Sequence, residues 1–291
     1  MDGGTLEGLR PRLFSLAYRM LGAVAEAEDA VQDAFLRWQE AGADVATPEA
    51  WLVTVTTRLC IDHLRRLKRE REVYVGPWLP DPIVEAIPAE DAPPDHRIAL
   101  AQDMSMAFLL LLERLAPEER AAFLLREVFD IPYPDIARTL ERSEAACRQM
   151  VHRARSRIAD ASRRRQPSRA EHAQLLEAFR TARRRDDEQA LLALFAPDAT
   201  WAADGGGKVS ATLNIIAGRE RIARLVLGLL RQGRISHDET VVLVNGTPGL
   251  VTRDAAGRPD SVLSLDIAEG VIQAVHVVRN PDKLAHLSQP A

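Results

Sequence analysis

A proline-rich tract divides this chain. Prolines recur through residues 76–95, in GPWLPDPIVEAIPAEDAPPD, and they exclude a regular helix there because each proline removes a backbone donor. Helical patterns lie on both sides of the tract, and 291 residues exceed the usual length of one domain. We therefore expect two or three domains, with residues 73–94 as a linker. Tyr74, Trp78 and Leu79 are large side chains on this linker, so part of it should dock on another surface.

The amino-terminal residues 1–72 carry helical periodicity. Three apolar stripes recur at spacings of three and four residues, which is typical of helices that bury one face. They comprise Leu9, Leu13, Leu16, Ala17 and Met20; Val24, Ala27, Val31, Ala34, Phe35 and Trp38; and Trp51, Leu52, Val55, Leu59 and Leu64. Thr47 and Pro48 suit the start of the third helix. The pattern predicts an all-α bundle.

Residues 95–165 predict a second all-α domain. We expect helices over 96–115 and 117–128, a short helix opened by Pro134 and ending near Leu140, and a longer one over 144–162. Ser143 is suited to cap the last helix and Glu144 to its positive end. Two helices joined by so short a turn indicate a helix-turn-helix, whose second helix enters the major groove.

Five polar side chains on that second helix are candidate DNA contacts. They are Arg148, Gln149, His152, Arg153 and Arg155. Arginine can bind guanine with two hydrogen bonds, glutamine can do the same with adenine, and further arginines suit phosphates. The alternative is a solvated arginine-rich face on a structural helix.

Residues 170–291 change to an α+β pattern. Helices are expected over 170–184, 187–195 and 219–232, with β-rich runs TWAAD, ETVVLVN, GLVTRD, SVLSLDIA and VIQAVHVV. Helices should cover a curved antiparallel sheet. Asp266 and His276 could share one sheet face, which leaves an enzyme of the isomerase or cyclase kind as an alternative, although no third polar residue joins them.

Charge is distributed in blocks. The net charge is 38 − 42 = −4, yet residues 25–40 hold five acids and one arginine, whereas residues 58–72 hold six bases and three acids. Residues 141–166 hold eight arginines and three acids. Such blocks favour separate faces for a basic partner and for phosphate backbones.

The sequence offers no sign of a membrane span or a metal site. The longest apolar run, Met106 to Leu112, has seven residues where a bilayer needs about 20. Cys60 and Cys147 lie apart, with no cysteine or histidine cluster beside them, so they are expected to be packing residues. We expect a soluble, cytoplasmic protein with no metal, no cofactor and no membrane partner.

The motifs of both helical blocks resemble one family. AEDAVQDAFLRWQE and TPEAWLVTVTTRLCIDHLRR, followed by LERLAPEERAAFLLREVFDIPYPDIARTLERSEAACRQMVHRARSRI, resemble regions two and four of extracytoplasmic-function sigma factors of the sigma-70 superfamily. The resemblance implies a promoter-specificity subunit that is not an enzyme. Its implied partners are core RNA polymerase, through the β and β′ subunits, and promoter DNA.

The resemblance also implies roles for residues of region two. On the helix that binds the β′ coiled coil lie Asp29, Gln32, Asp33, Phe35 and Trp38, although Phe35 or Trp38 could instead be core. On the helix that faces the minus-ten element lie Thr56, Arg58, Asp62, His63, Arg65 and Arg66. Residues 40–47 match the loop that holds a flipped base, and capture of that base offsets the cost of unstacking.

Three further motifs resemble a subgroup that carries a fused SnoaL-like domain of the nuclear-transport-factor-two fold. They are GPWLP at 76–80, DGGGK at 204–208 and NPDKL at 280–284. Glycines permit close backbone approach, so we expect Trp78, Leu79 and Pro80 to meet Asp204, Gly205, Gly206, Gly207 and Lys208 in a regulatory contact that acts in cis. A small-molecule ligand in this last domain is an open alternative. A repressor with one helix-turn-helix would not explain the acidic helix of residues 25–40, and binding to core polymerase would distinguish the two.

Overall fold

A computed structural model describes residues 7–41, 47–71, 73–87, 104–162, 167–234 and 238–288. Contacts divide the chain into two compact units. The amino-terminal unit is formed by the described residues of 1–73 and 108–163, and the carboxy-terminal unit by those of 74–107 and 164–291. The described linker residues after Val73 therefore pack with the carboxy-terminal unit.

Three helices begin the amino-terminal unit: α1 (Arg10–Leu21), α2 (Val24–Ala41) and α3 (Pro48–Arg71). Gly22 ends α1 in the left-handed conformation at φ 73°, which glycine adopts without cost, and α2 starts two residues later. Leu16, Ala27 and Leu52 are fully buried, one from each helix. The predicted apolar stripes thus meet in one core.

Four more helices lie in the described part of this unit: α4 (Met106–Leu112), α5 (Pro117–Glu127), α6 (Tyr133–Leu140) and α7 (Glu144–Ser162). The helix predicted over 96–115 ends earlier than expected, at Leu112. After it, the amides of Arg114 and Leu115 bond to carbonyls three residues back, which forms a tighter turn before Pro117. The predicted helix residues 96–103 lie outside the described part. Arg120 of α5 is buried and donates to the Met20 carbonyl at 2.5 Å, which ties α5 to the end of α1.

Three helices of the carboxy-terminal unit cover one face of its sheet: α8 (Arg169–Arg184), α9 (Glu188–Leu194) and α10 (Arg219–Arg231). Ser168 and Glu171 form a capping box at the start of α8, and Asp187 caps α9. Phe179, Leu191 and Ile222 pack with Val275 in a common core. The predicted helices of this domain are present within one or two residues.

In the described part of the chain, seven strands form the sheet. They are β1 (Val84–Glu85), β2 (Phe195–Asp204), β3 (Ile216–Ala217), β4 (Glu239–Val244), β5 (Thr247–Arg253), β6 (Pro259–Ala268) and β7 (Val271–Val278). Their order is β1-β4-β5-β6-β7-β2-β3. All neighbours are antiparallel except β2 and β7, which run parallel. The sheet is thus mainly antiparallel, as predicted, and β2 runs parallel to β7 after β3, α10 and the strands β4 to β6, which lie between them in the chain.

The edge strand β1 comes from the proline-rich linker. Val84 pairs with Val244, and the Asn245 amide donates to the Ile83 carbonyl at 2.8 Å. The last described elements are α11 (Pro281–Leu284) and a turn of 3-10 helix at Ala285–Ser288. No helix in the described ranges is long and apolar enough to cross a bilayer.

Candidate functional site

Helices α6 and α7 form the predicted helix-turn-helix. α6 ends at Leu140, its C-cap residue Glu141 adopts φ 54°, and Ser143 accepts a hydrogen bond from the Ala146 amide at 3.2 Å. Ile136, Cys147 and Val151 are buried and hold the two helices together. Burial raises the pKa of the Cys147 thiol, so this cysteine is a packing residue rather than a reactive one.

The exposed face of α7 carries three uncharged or weakly basic polar side chains at its centre. Gln149, His152 and Ser156 lie on one face of the helix, because they are three and four residues apart, and all three are exposed. Arg148 and Arg153 border this face on its two sides. Ser156 was not among the predicted contacts, although its spacing from His152 could have indicated it.

The arginines of α7 are paired with acids in this structure. Arg155 makes two bonds to Glu127 of α5, at 2.7 and 3.0 Å, and Arg153 donates to Glu119 at 2.9 Å. Arg148 bonds Glu144 at 2.7 Å and lies 4.4 Å from the ring centre of Tyr133. The pair of Arg148 with Glu144 is exposed, and such pairs contribute about 0 to 1 kcal/mol, so a phosphate oxygen can replace Glu144 at little cost.

Arg58 of α3 is bound to the helix-turn-helix. Its guanidinium donates to the Thr139 carbonyl at 2.9 Å and the Arg138 carbonyl at 3.0 Å, and it pairs with Glu141 at 3.0 Å. These carbonyls end α6, where a helix carries partial negative charge. The side chain predicted to face the minus-ten element therefore stabilises the end of the first helix of the helix-turn-helix.

The other predicted residues of α3 differ in exposure. Asp62, Arg65 and Arg66 are exposed, and Arg65 bonds Glu118 of α5 at 2.8 Å. His63 is half-buried, with Nε2 3.1 Å from a carboxylate oxygen of Glu26. Thr56 is fully buried, so its side chain does not face DNA in this arrangement and its predicted role is corrected.

The acidic helix α2 presents its polar residues outward. Asp29, Gln32 and Asp33 are exposed on one face. Phe35 and Trp38 are half-buried: Arg10 lies 4.9 Å above the Phe35 ring, and Trp38 packs edge-on against Trp51. Both aromatic rings thus take part in the bundle and keep an exposed edge. Of the predicted base-capture loop over 40–47, residues 42–46 lie outside the described part.

The linker is held on Asp204, at the end of β2. This side chain is fully buried, and its carboxylate accepts bonds from the Tyr74 hydroxyl at 2.5 Å and the Leu79 amide at 2.9 Å. Its Oδ2 lies 2.9 Å from Nζ of Lys283. We refer to Tyr74, Leu79, Asp204, Asn280 and Lys283 as the linker clamp.

Lys283 closes the clamp from the other side. Its ammonium donates to the Leu79 carbonyl and lies 4.0 Å from the ring centre of Trp78. The Asn280 amide donates to the Tyr74 hydroxyl at 2.9 Å. Burial and the bond to Asp204 raise the pKa of Tyr74, so its hydroxyl stays a donor. Leu79 is thus bound through both backbone groups, while its side chain is buried.

The glycines after Asp204 allow the close approach. Gly206 has φ 59°, and a Cβ there would lie 2.3 Å from the Asn280 amide nitrogen. Gly207 has φ 72°, and its Cβ would lie 3.1 Å from Val75. Lys208 pairs with Asp282 in α11. Gly205 and Pro80 are the remaining predicted members, and Pro80 is buried.

Sequence reasoning placed Trp78 to Pro80 and residues 204–208 together, and the geometry brings them together. It expected Tyr74 to dock without naming a partner, and it missed Asn280 and Lys283 as clamp members, although both belong to the NPDKL motif. Pro281 after Asn280 could have indicated them, because this pair is typical of a capped helix start, here followed by Lys283. Asn280 indeed accepts from the Asp282 amide at 3.1 Å.

The candidate acid-base pair of the sheet is not arranged for catalysis. His276 is opposite Ser264, and Asp266 is opposite Ala274, so both lie on the sheet face away from the helix-covered core. His276 is buried, and burial lowers its pKa to about 4. His276 is thus neutral and faces Ser264 rather than an acid, which is typical of a packing residue.

The buried histidines make the carboxy-terminal unit sensitive to acid. Burial also lowers the pKa of His172 to about 4. An unfolded histidine binds a proton below about pH 6.5, so stability falls as the pH drops from there toward 4. Between about pH 7 and 5, each histidine should cost about 2 kcal/mol.

The variant His276→Gln should remove about half of the stability that the carboxy-terminal unit loses between about pH 7 and 5, since glutamine does not titrate. Hydrogen exchange of β6 and β7 amides at the two pH values measures it. An identical loss in the variant and the parent would contradict the assignment.

The structure by itself describes a helix-turn-helix protein that has an acidic helical bundle and a fused α+β unit. Comparison with known proteins gives the family. Sigma-70 region 2 matches residues 6–70, and sigma-70 region 4 matches residues 105–158. The ECF RNA polymerase sigma factor SigJ of Mycobacterium tuberculosis is 35% identical, over 97% of this chain and 93% of its own length. The probable ECF sigma factor SigI of that species is 34% identical, over 94% and 92%.

A solved structure is similar over most of the chain. The crystal structure of the Mycobacterium tuberculosis SigJ factor superposes with a TM-score of 0.79 at 33% identity, covering 98% of each chain. This chain therefore belongs to the extracytoplasmic-function sigma factors of the sigma-70 family, which direct promoter recognition and transcription initiation. Its carboxy-terminal unit is consistent with a SnoaL-like domain.

Proposed function

We propose that the chain binds core RNA polymerase through the β and β′ subunits, reads two promoter elements, and is modulated in cis by its carboxy-terminal unit. The hydrogen bonds from the linker to Asp204 carry the last part of this proposal. In this role the chain makes no covalent bond itself and works in the cytoplasm, where promoter DNA and polymerase are. Phosphodiester chemistry belongs to the polymerase.

The amino-terminal unit is a closed form in this proposal. The minus-ten and minus-thirty-five elements lie about 25 base pairs apart, which is about 85 Å along B-DNA. Arg58, on the helix proposed to face the first element, is 2.9 Å from a carbonyl of the helix-turn-helix proposed to read the second. Regions two and four have to separate before both elements can be bound.

The linker clamp supplies a means of control over that separation. It fixes the linker at Tyr74 and Leu79, and β1 extends the attachment to Glu85. Residues 74–85 are then held on the carboxy-terminal unit and do not contribute to the reach between the two regions. Release of the clamp lengthens this reach, so the carboxy-terminal unit can set how readily regions two and four part.

Promoter reading tests the role of α7. Arg148→Ala and Gln149→Ala should each cost about 1 to 3 kcal/mol of minus-thirty-five discrimination, because each removes a side chain that can bind a base edge. The measurement compares transcription from a promoter with an intact or a scrambled element, using reconstituted polymerase. Arg157→Ala is the matched control, since Arg157 bonds Glu119 and, nine residues after Arg148, lies on the opposite side of α7. Full discrimination by both variants would exclude this role.

Capture of polymerase tests the acidic helix. Asp29 and Asp33 are exposed and four residues apart, so they share a face of α2. Asp29→Lys combined with Asp33→Lys should lower affinity for core polymerase and make the remaining binding less sensitive to salt. Glu188→Lys combined with Asp198→Lys makes the same charge change in the carboxy-terminal unit. Equal retention of β′ by both double variants across salt concentrations would contradict the proposed contact.

A further inference from the structure

Tyr133 is the first residue of α6, the first helix of the helix-turn-helix, and its backbone is restrained on both sides. Pro132 precedes it and Pro134 follows it, and each proline ring fixes one backbone torsion angle. Ile136, three residues later, is fully buried and anchors the helix. The aromatic ring of Tyr133 therefore projects from a rigid stretch of backbone.

Two arginines contact this ring. The guanidinium carbon of Arg148, on α7, is 4.4 Å from the ring centre, and that of Arg126, on α5, is 5.4 Å from it. Arg126 is itself held in place, because it donates to the Asp130 carboxylate at 3.0 Å and to the Ile131 carbonyl at 3.3 Å. The ring thus contacts one anchored arginine and one arginine of the helix proposed to read DNA.

The contact with the ring leaves the hydrogen-bonding groups of Arg148 free. A guanidinium stacks on a ring through its flat face, whereas it binds a base edge through the N–H groups on its rim. The bond from Arg148 to Glu144, at 2.7 Å, uses such a group, so it has to be exchanged when Arg148 binds a base. The Arg148 side chain is 57% exposed, so its rim is accessible to DNA while the ring contact is kept.

We propose that Tyr133 is a positioning residue for promoter reading: its ring holds the Arg148 guanidinium ready to bind a base edge of the minus-thirty-five element. A free arginine side chain occupies many rotamers, and ordering it on binding opposes the contact with the base. The ring removes part of that cost before DNA arrives. Only the base that accepts both hydrogen bonds requires the ordered arginine, so the gain increases discrimination. This inference rests on the proposed reading of DNA by Arg148.

The test measures base preference in transcription by core polymerase with the full-length chain. The template is a promoter whose transcription depends on this chain, with the minus-thirty-five element intact or changed at one base pair. The preference is the ratio of the two transcript levels, taken at the base pair where Arg148→Ala lowers it most. Tyr133→Leu removes the ring and should lower this ratio about two- to fivefold, the usual strength of an exposed cation–π contact.

Tyr133→Phe is the matched control, because it keeps the ring and removes only the hydroxyl. Its ratio should stay within about 1.5-fold of the parent, since the cation–π contact is retained. A contact of the hydroxyl with a phosphate affects every promoter alike and therefore cancels in the ratio.

Coupling to Arg148 separates positioning from a general effect on the fold. In the Arg148→Ala background, Tyr133→Leu should leave the ratio unchanged, because the ring then has no guanidinium to hold. Tyr133→Gln also removes the ring and provides a second variant if Tyr133→Leu does not fold. Circular dichroism of the full-length chain reports folding.

The outcomes distinguish this inference from the proposed function. If Arg148→Ala leaves the base preference intact, the proposed reading by Arg148 is wrong and the inference fails with it. If Arg148→Ala lowers the preference but a folded ring-free variant keeps it, only the role of Tyr133 is wrong. An equal loss in Tyr133→Phe, or a further loss in the Arg148→Ala background, shows that the ring does not act through Arg148.

Discussion

Asp204→Asn should lower the local stability of the carboxy-terminal unit by about 3 to 5 kcal/mol, the usual cost of removing one partner of a buried ion pair. The carboxylate accepts from three donors, the Tyr74 hydroxyl and the Leu79 and Gly206 amides, and it pairs with Lys283. An asparagine offers one acceptor oxygen and turns an NH₂ group toward the remaining donors. It therefore leaves a buried amide and a buried ammonium without compensation.

Hydrogen exchange measures this effect where it arises, because a chain of two units does not unfold in one step. Amides of linker residues 74–85 and of β2 should exchange faster in Asp204→Asn. Adding Lys283→Met should restore part of the protection, since an apolar side chain no longer needs a buried counter-charge.

Asp282→Asn is the matched control, because the pair of Asp282 with Lys208 is exposed and should contribute less than about 1 kcal/mol. Equal protection losses in Asp204→Asn and Asp282→Asn would show that the clamp does not hold the linker.

Gly206→Ala should cost at least about 3 kcal/mol. About 1 to 2 kcal/mol arises because a residue with a Cβ is strained at φ 59°. The rest arises because the new Cβ would lie 2.3 Å from the amide nitrogen of Asn280, which holds Tyr74. Gly233→Ala isolates the first contribution, since Gly233 has φ 65° and nothing lies within 4 Å of its Cβ.

The difference between the two glycine variants measures the close approach itself. Hydrogen exchange of the linker should increase in Gly206→Ala and remain at the parental rate in Gly233→Ala. If both variants raise linker exchange equally, backbone strain explains the loss and the clamp does not.

The clamp also predicts how transcription responds. Trp78→Ala and Gly206→Asp loosen the same contact, so they should shift promoter activity in the same direction. The double variant should be no stronger than either single one, because the two sites are coupled. Simple addition of the two effects would indicate independent causes.

Local patterns were enough to predict the helices. Periodic apolar residues fix the buried face of a helix within a few turns, and Ser143 and Asp187 each cap the helix that was expected to begin beside them. The turn between α6 and α7 could also be predicted, because it is short and its cap at Ser143 is a local signal. The predicted helix-turn-helix is confirmed as part of a sigma-70 region 4 match.

Contacts between distant residues were beyond local patterns. β1 forms only because β4, about 160 residues later, offers a free sheet edge. The prolines of the linker predict an extended segment, but they do not predict its partner strand. The parallel pairing of β2 with β7 and the bond of Arg58 to Thr139 depend on how whole elements pack. The polymerase and DNA contacts of individual residues stay predictions.

The most direct test of the account is transcription from fragmented chromosomal DNA by core polymerase, with and without this chain. Mapped 5′ ends should include starts that depend on the chain and share two upstream elements. Starts at these promoters should fall with Arg148→Ala and persist with Arg157→Ala. Identical start sites with and without the chain would contradict its assignment as a promoter-specificity subunit.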